Sequence, residues 1–194
     1  MFRKTSLAVI TAATMLCGTS AFAASTPTTG PFGNGTIHFS GTITNSPCAV
    51  APGDDALEVS FGQVSYRDLA TTGATTTSQP IVIHLTGCVF DPDTAAADAN
   101  PVGLMSKVNV AFSGSATSDK KGYVSTGSAS HVAVQLLKND NSTVIEANSI
   151  PTTADAQQLQ TGNNELRFFA RLLAMDTVTP GSVDATVNYT LTYL

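Results

Sequence analysis

The sequence predicts an all-β protein folded as an antiparallel sandwich. Apolar and polar residues alternate along seven short stretches, as they do in strands with one buried face. Turn-forming Gly, Pro, Asn and Asp residues separate these stretches. No long segment combines a 3.6-residue apolar repeat with helix caps. Several short strands with regular turn signals indicate two packed sheets, each with one core face and one solvated face.

The strands can be followed in order along the chain. The predicted strands cover residues 37–43, 57–61, 81–85, 108–112, 132–136, 166–172 and 183–193. In the fifth strand, His131 and Gln135 lie opposite the apolar row and are expected on the solvated face. The last strand is the most regular, and its apolar face is formed by Val183, Ala185, Val187, Tyr189, Leu191 and Tyr193. Short helical turns are predicted within residues 66–78 and 152–160.

Residues 1–23 are predicted to be a secretory signal peptide. Arg3 and Lys4 provide the positive start, an apolar stretch follows, and Ala21-Phe22-Ala23 forms a small-x-small cleavage site. The apolar stretch is shorter than the roughly 20 residues that a membrane span needs. The mature chain is therefore expected to be exported and not to span the membrane.

Charge argues against a nucleic-acid partner. The net charge of the whole chain is −5, and it becomes −7 without the signal, which carries two basic residues and no acidic one. Only 12% of the residues are charged, and the Lys and Arg residues are scattered. An acidic chain of this kind lacks the basic patch that binds phosphate backbones.

The cysteine count predicts one disulfide. Cys17 leaves with the signal, so that Cys48 and Cys88 remain in an exported chain. Two cysteines in an oxidising compartment most simply pair with each other. The alternative is a metal-binding pair, which would call for close C-x-x-C spacing or a neighbouring His cluster, and the sequence has neither.

The two ends of the mature chain indicate that a strand from another chain pairs with this one. Residues 24–35 are rich in Thr, Pro and Gly and are expected to form a loose tail. The most regular strand runs to the end of the sequence, where nothing follows to cover its edge. A long uncovered apolar edge is an aggregation hazard, so we expect another chain to pair with it.

The mature sequence resembles the major-pilin family of chaperone–usher fimbriae, the type 1 group. Residues 35–41, with the sequence GTIHFSG, are similar to the start of its first strand, and residues 61–64, FGQV, to its "x-F/L-G-Q-V" segment. Residues 164–174 resemble its penultimate strand. Gly181 is fourteenth from the C-terminus and Tyr193 is penultimate, as in that family's assembly signature. Cys48 and Cys88 match the position of its single disulfide.

The resemblance implies an incomplete immunoglobulin-like sandwich that is completed by a donor strand from a neighbouring subunit. By the same implication, a periplasmic chaperone fills the groove first, and the next subunit replaces it at the outer-membrane usher. The donor is expected in residues 24–36 and the domain in residues 37–194. The donor face is expected to contain Gly30, Phe32, Asn34 and Thr36. Groove and assembly positions are expected at Gly181, Val187, Tyr189, Leu191 and Tyr193.

Catalytic and metal-binding functions find little support in the sequence. His38, His84 and His131 fall on the polar faces of separate predicted strands. Asp91, Asp93 and Asp98 lack the spacing and terminal Glu of a calcium loop, and no G-x-S-x-G elbow is present. We therefore expect no enzyme activity, metal or cofactor. The expected role is a structural subunit of an extracellular adhesive fimbria, and a minor adaptor or adhesive subunit of the same fold stays open as the alternative.

Overall fold

A computed structural model describes residues 35–94 and 99–194 of the chain. Its internal contacts divide the chain into two compact units, Met1–Thr42 and Ile43–Leu194. All of the described strands belong to the second unit. They are β1 (Ala49–Val50), β2 (Gln79–Cys88), β3 (Lys107–Gly114), β4 (Tyr123–Val124), β5 (Val132–Leu137), β6 (Val144–Ile145), β7 (Gln157–Gln158), β8 (Gly162–Ala174) and β9 (Val187–Tyr193).

The strands form two antiparallel sheets. The larger sheet has the order β1-β2-β8-β5-β4, and β6 also pairs with β5. The smaller sheet has the order β7-β3-β9, so that β9 lies at its edge. Every described ladder is antiparallel. The predicted all-β antiparallel architecture is therefore confirmed.

The core lies between the two sheets and is built from the alternating rows that the sequence predicts. In β2, Ile83 and Leu85 are fully buried, and Leu166 and Phe168 of β8 are almost completely buried. Phe168 meets Phe112 of β3 edge to face, with the ring centroids 5.1 Å apart. This contact joins the two sheets at their centre and adds a favourable aromatic geometry to the burial of apolar surface.

The predicted disulfide is present. Cys48 and Cys88 are bonded, and both residues are buried. The bond ties the chain just before β1 to the end of β2, across 40 positions of sequence. Closing a loop of this length in the unfolded chain stabilises the fold by about 4 kcal/mol in the chain-entropy model.

Two of the predicted strands do not form. Residues 37–43 have no regular secondary structure, and neither do residues 57–61. In addition, β9 begins at Val187 rather than at residue 183. The alternation in these segments specifies which face of a strand would be buried, but a strand also needs a neighbour to complete its hydrogen bonds. Among the described residues, no ladder pairs with either segment.

The prediction for Gln135 is wrong, because this residue is buried rather than solvated. All six residues of β5 are buried, so that the strand is covered on both faces. The Gln135 amide nitrogen donates to the Lys121 carbonyl at 3.0 Å, and its oxygen accepts from Arg171 Nε at 2.9 Å. These bonds offset the cost of removing the amide from water.

The predicted helical turns are single 3₁₀ turns. They span Tyr66–Leu69 and Thr153–Asp155, and a third turn, Asp54–Ala56, was not predicted. In the first of these, Leu69 is buried against the core. In the second, the Thr152 and Asp155 side chains form a reciprocal cap with each other's backbone, which satisfies the exposed end of the turn.

Candidate functional site

A groove opens between the two sheets of the described domain. Its volume is about 1010 Å³. The floor consists of inward-facing apolar side chains from both sheets, namely Ile81, Ile83, Phe112, Val134, Leu136, Ala170 and Leu172. A groove of this size with an apolar floor leaves part of the interior of the sandwich without the close contacts that stabilise a protein core.

One wall of the groove is the C-terminal segment. From Val183 to Tyr193, the predicted inward residues are half-buried and the residues between them are exposed, so the predicted phase of this strand is confirmed. β9 pairs with β3 on one edge, and no described strand pairs with its other edge. The inward row is half-buried because that side of the strand is open.

The predicted groove positions differ in how they meet this cavity. Val187 and Tyr189 line the groove, and so does Gly181, which precedes β9 in the sequence. Leu191 and Tyr193 share the inward face of β9 with Tyr189 and pack against the core, but they do not line the cavity. Desolvation by burial raises the pKa of Tyr193, so its phenol stays neutral at physiological pH.

The opposite wall is the segment Leu57 to Val64. Leu57, Val59 and Phe61 line the groove, together with the polar residues Glu58 and Ser60 between them. Val59, Phe61 and Val64 pack against the core while remaining partly exposed. The segment makes a local bond from the Gly62 amide to the Ser60 hydroxyl at 3.2 Å. Like β9, this wall presents an apolar row beside a backbone edge that no described strand covers.

A close crossing of two chain segments forms one end of the groove. In this glycine crossing, residues 125–130 meet residues 179–184. The Ala129 amide donates to the Ser182 carbonyl at 2.9 Å, and the Thr126 amide donates to the Asp184 carbonyl at 2.7 Å. A Cβ at Gly181 would overlap the backbone of Ser128 and Ala129, and a Cβ at Gly127 would overlap the backbone of Ser182.

Both glycines are therefore needed because the two backbones approach closely. The signal at Gly181 was visible in the sequence through the family resemblance. Gly127 was missed because nothing in its own neighbourhood marks it, and only the pairing with residues 179–184 shows why it must lack a side chain.

Tyr189 connects the groove wall to the larger sheet. Its hydroxyl donates to the Asp54 carbonyl at 2.9 Å. The Asp54 carboxylate accepts from the His84 backbone amide, and it lies 2.9 Å from His84 Nδ1. Desolvation raises the pKa of Tyr189, and the nearby Asp54 and Asp55 carboxylates add to the effect. The phenol is thus held neutral, as a donor, across the physiological pH range.

The remaining candidates for chemistry are dispersed. In residues 35–94 and 99–194, no group of three or more His, Cys, Asp or Glu side chains could hold a metal ion. His38, His84 and His131 are exposed, as predicted. Asp98 lies outside the described residues, while Asp93 accepts a bond from the Asn100 amide at 2.8 Å. None of the helices in the described part of the chain is long and apolar enough to cross a membrane.

The predicted donor positions lie mostly outside the described part of the chain. Gly30, Phe32 and Asn34 are among the residues that the structure does not describe, whereas Thr36 is exposed and without regular structure. The residues that follow Thr36 include large apolar side chains that are highly exposed. Ile37, Phe39 and Ile43 are 75%, 86% and 102% exposed. The sequence shows their alternation clearly, but alternation alone does not tell whether the row is buried in its own domain or elsewhere.

Comparisons with known proteins agree with this architecture. A family model described as "Fimbrial protein" matches residues 37–194. The type-1 fimbrial protein A chain of Escherichia coli (strain K12) is 33% identical to this chain, with 98% of each sequence covered.

Solved structures give the same result for the fold. A chain from a chaperone–usher pilus structure that addresses rod uncoiling has a TM-score of 0.69 at 24% identity, covering 86% of this chain and 99% of its own. The P pilus rod subunit PapA has a TM-score of 0.62 at 22% identity, covering 77% of this chain and 100% of its own. The predicted incomplete immunoglobulin-like sandwich is thereby confirmed.

Proposed function

The chain belongs to the fimbrial protein family, and from that membership we propose that it is a structural subunit of an extracellular adhesive fimbria, polymerised by the donation of one β-strand from each copy to the next. The observation that carries the proposal is the open groove, whose two walls each present an uncovered backbone edge among the described residues. A donated strand between the walls would pair with both of them.

The physical basis is strand addition. Backbone hydrogen bonds along the free edge of β9 supply affinity, and alternate side chains of the donor fill the apolar floor. A free edge and an unfilled core are both unfavourable in an isolated subunit. Completion by a neighbouring copy removes both costs in one step, so that assembly and the completion of the fold are the same event.

The donor includes residues beyond the tail that the sequence predicted. Ile37, Phe39, Gly41 and Ile43 form one row of alternate residues, and the three apolar members are highly exposed. Residues 37–43 match the seven residues of β9 in length. Ile37, Phe39 and Ile43 are therefore the proposed anchors, and Gly41 leaves one place in the row without a side chain. Gly30, Phe32, Asn34 and Thr36 have the opposite parity, so in a strand that continues towards its start they would lie on the face turned away from the groove.

The partners follow from this mechanism. The acceptor is an identical or related fimbrial subunit. A periplasmic chaperone would cover the groove until assembly, and an outer-membrane usher would be the place of exchange. The mature chain would end in the extracellular fimbrium. None of these partners requires catalysis, a cofactor or nucleic acid.

Peptide complementation tests the proposal. The chain lacking residues 24–43 is purified and mixed with a peptide copying residues 36–45, and thermal unfolding is followed. We expect the peptide to raise the melting temperature. The same peptide with Phe39→Asp is the matched control and should have little effect, because it places an unpaired charge in an apolar site.

A peptide copying residues 24–36 separates the two donor assignments. If this peptide stabilises the subunit and the 36–45 peptide does not, the donor is the tail alone. If neither peptide changes the melting temperature, strand donation is wrong for this chain.

A further inference from the structure

One end of the described domain gathers the disulfide, the beginning of β3 and the C-terminus. We call it the disulfide pole, comprising residues 47–48, 88–91, 103–107 and 194. The Val89 amide donates to the Pro47 carbonyl at 3.0 Å, next to the disulfide. The Leu104 amide donates to the Asp91 carbonyl at 2.8 Å. Lys107 and Leu194 exchange two backbone bonds of 3.2 and 2.8 Å. These bonds make the four segments neighbours.

The disulfide pole exposes large apolar side chains. Val89, Leu104, Met105 and Leu194 are 70%, 50%, 46% and 43% exposed. A single exposed apolar residue is ordinary in a folded protein. Four of them on hydrogen-bonded segments at one end of the domain, called here the apolar patch, favour an interaction site. Met105 also has a left-handed backbone, with φ 58°, which is uncommon for a residue with a long side chain.

The length of the chain between donor and domain limits where this patch can lie in the fibre. The proposed donor ends at Ile43, and the disulfide fixes Cys48 to the pole. Five residue steps can span at most about 17 Å when fully extended. The disulfide pole of a donating copy must therefore lie close to the end of the acceptor's groove from which the donor emerges.

The direction in which the donor runs along β9 determines the end of the acceptor's groove from which it emerges. An antiparallel pair is slightly more stable per residue than a parallel one, and every described ladder in this chain is antiparallel. A donor antiparallel to β9 begins beside Tyr193 and ends beside Val187. Ile43 then lies towards Val183, at the end of the groove that the glycine crossing forms.

We infer that the disulfide pole of each copy docks on the glycine crossing of the copy that accepts its donor strand. This inference rests on the proposed strand donation and adds a second contact between consecutive subunits. Val89 is the central residue of the contact, because it is the most exposed apolar residue of the patch and follows Cys88 directly. On the acceptor, the exposed residues Ser128, Pro180 and Ser182 are the surface that it meets.

Photo-crosslinking in assembled fibres tests the inference. The full chain is produced with p-benzoylphenylalanine in place of Val89, and the fibres are irradiated and then fully denatured. Covalent dimers are isolated and digested, and the attachment site is located by mass spectrometry. We expect dimers joined to residues 125–130 or 179–184. Unassembled subunits should give no dimer. The same probe in place of Arg167, which is exposed on β8, is the matched control and should not label these segments.

The possible results separate the inference from the proposed function. Attachment of the probe to residues 88–107 or 194 of the other copy would mean a parallel donor and would overturn the inference, as would dimers joined elsewhere. In either case, the formation of fibres would leave strand donation intact. Fibres formed by the Phe39→Asp chain would instead contradict strand donation itself. A second preparation carries the probe in place of Leu104, so that a bulky group that blocks assembly at one position does not remove the test.

Discussion

Strands β8 and β9 both carry an inward row of apolar residues at every second position, yet the two rows are buried to different degrees. Leu166, Phe168 and Leu172 of β8 are at most 5% exposed, whereas the inward residues of β9 are only half-buried. The difference lies in the neighbours, because β8 pairs with both β2 and β5, whereas β9 pairs with β3 alone among the described strands. The comparison teaches that the fold is complete around β8 and lacks one strand beside β9.

The largest expected effect is on the complete side. Phe168→Ala removes a buried ring that contacts Phe112, and it should cost about 3–5 kcal/mol of unfolding free energy. The loss of unfolding free energy should be similar with and without donor peptide, because Phe168 is already buried in the isolated subunit. Denaturant unfolding measures it, with the exposed Arg167→Ala as the control. Equal losses for the two variants would contradict the description of β8 as a closed core strand.

A smaller effect is expected at the end of the groove. Gly181→Ala forces a Cβ against the backbone of Ser128 and Ala129, and overpacking of this kind should cost about 1–3 kcal/mol. Gly35→Ala is the matched control, since a Cβ there meets nothing within 4 Å. Urea unfolding of both variants checks the difference. If Gly181→Ala is tolerated as well as the control, the glycine crossing does not require close backbone contact.

The sequence predicted the parts of the molecule that depend on local pattern. The phases of β2, β3, β8 and β9 and the disulfide could be predicted in this way, whereas Gly181 was marked only by the family resemblance. The strand with which each segment pairs could not be predicted. The alternation in residues 37–43 and 57–61 shows which face of a strand would be buried, but not which strand lies beside it. The burial of Gln135 was equally hidden, since it depends on Lys121 and Arg171, which are distant in sequence. Gly127 was missed for the same reason.

A modest effect is expected where β9 is tied to the larger sheet. Tyr189→Phe removes the hydrogen bond to the Asp54 carbonyl and should cost about 0.5–1.5 kcal/mol. Because burial raises the pKa of Tyr189, the stability it contributes is present below about pH 10 and is lost as the pH rises above that value. Thermal unfolding at neutral and alkaline pH checks both points. A variant with unchanged stability at neutral pH would show that the bond does not hold the groove wall.

The smallest effect concerns the side of the sandwich away from the groove. Lys138 Nζ lies 2.6 Å from Asp155 Oδ1, and this bond lowers the pKa of Asp155, with further bonds from Thr152. A lowered folded-state pKa gives stability that is present above the unfolded value of about 3.9 and is lost as the pH falls below it.

Lys138→Met should therefore reduce the loss of melting temperature between pH 7 and about pH 3. Lys120→Met is the matched control, because Lys120 forms no ion pair with the described carboxylates. Thermal unfolding of both variants at the two pH values measures this difference in melting temperature. An identical acid response in Lys138→Met and the unmodified chain would mean that the ion pair contributes nothing.

Hydrogen exchange of β9 and β8, compared between the free subunit and the assembled fibre, tests the central claim most directly. The free subunit is the chain lacking residues 24–43. The missing-strand account predicts that alternate amides of β9 exchange rapidly in the free subunit and become protected in the fibre, whereas the amides of β8 are protected in both states. Equal protection of β9 in both states would contradict the account, because it would mean that no strand is added at its free edge.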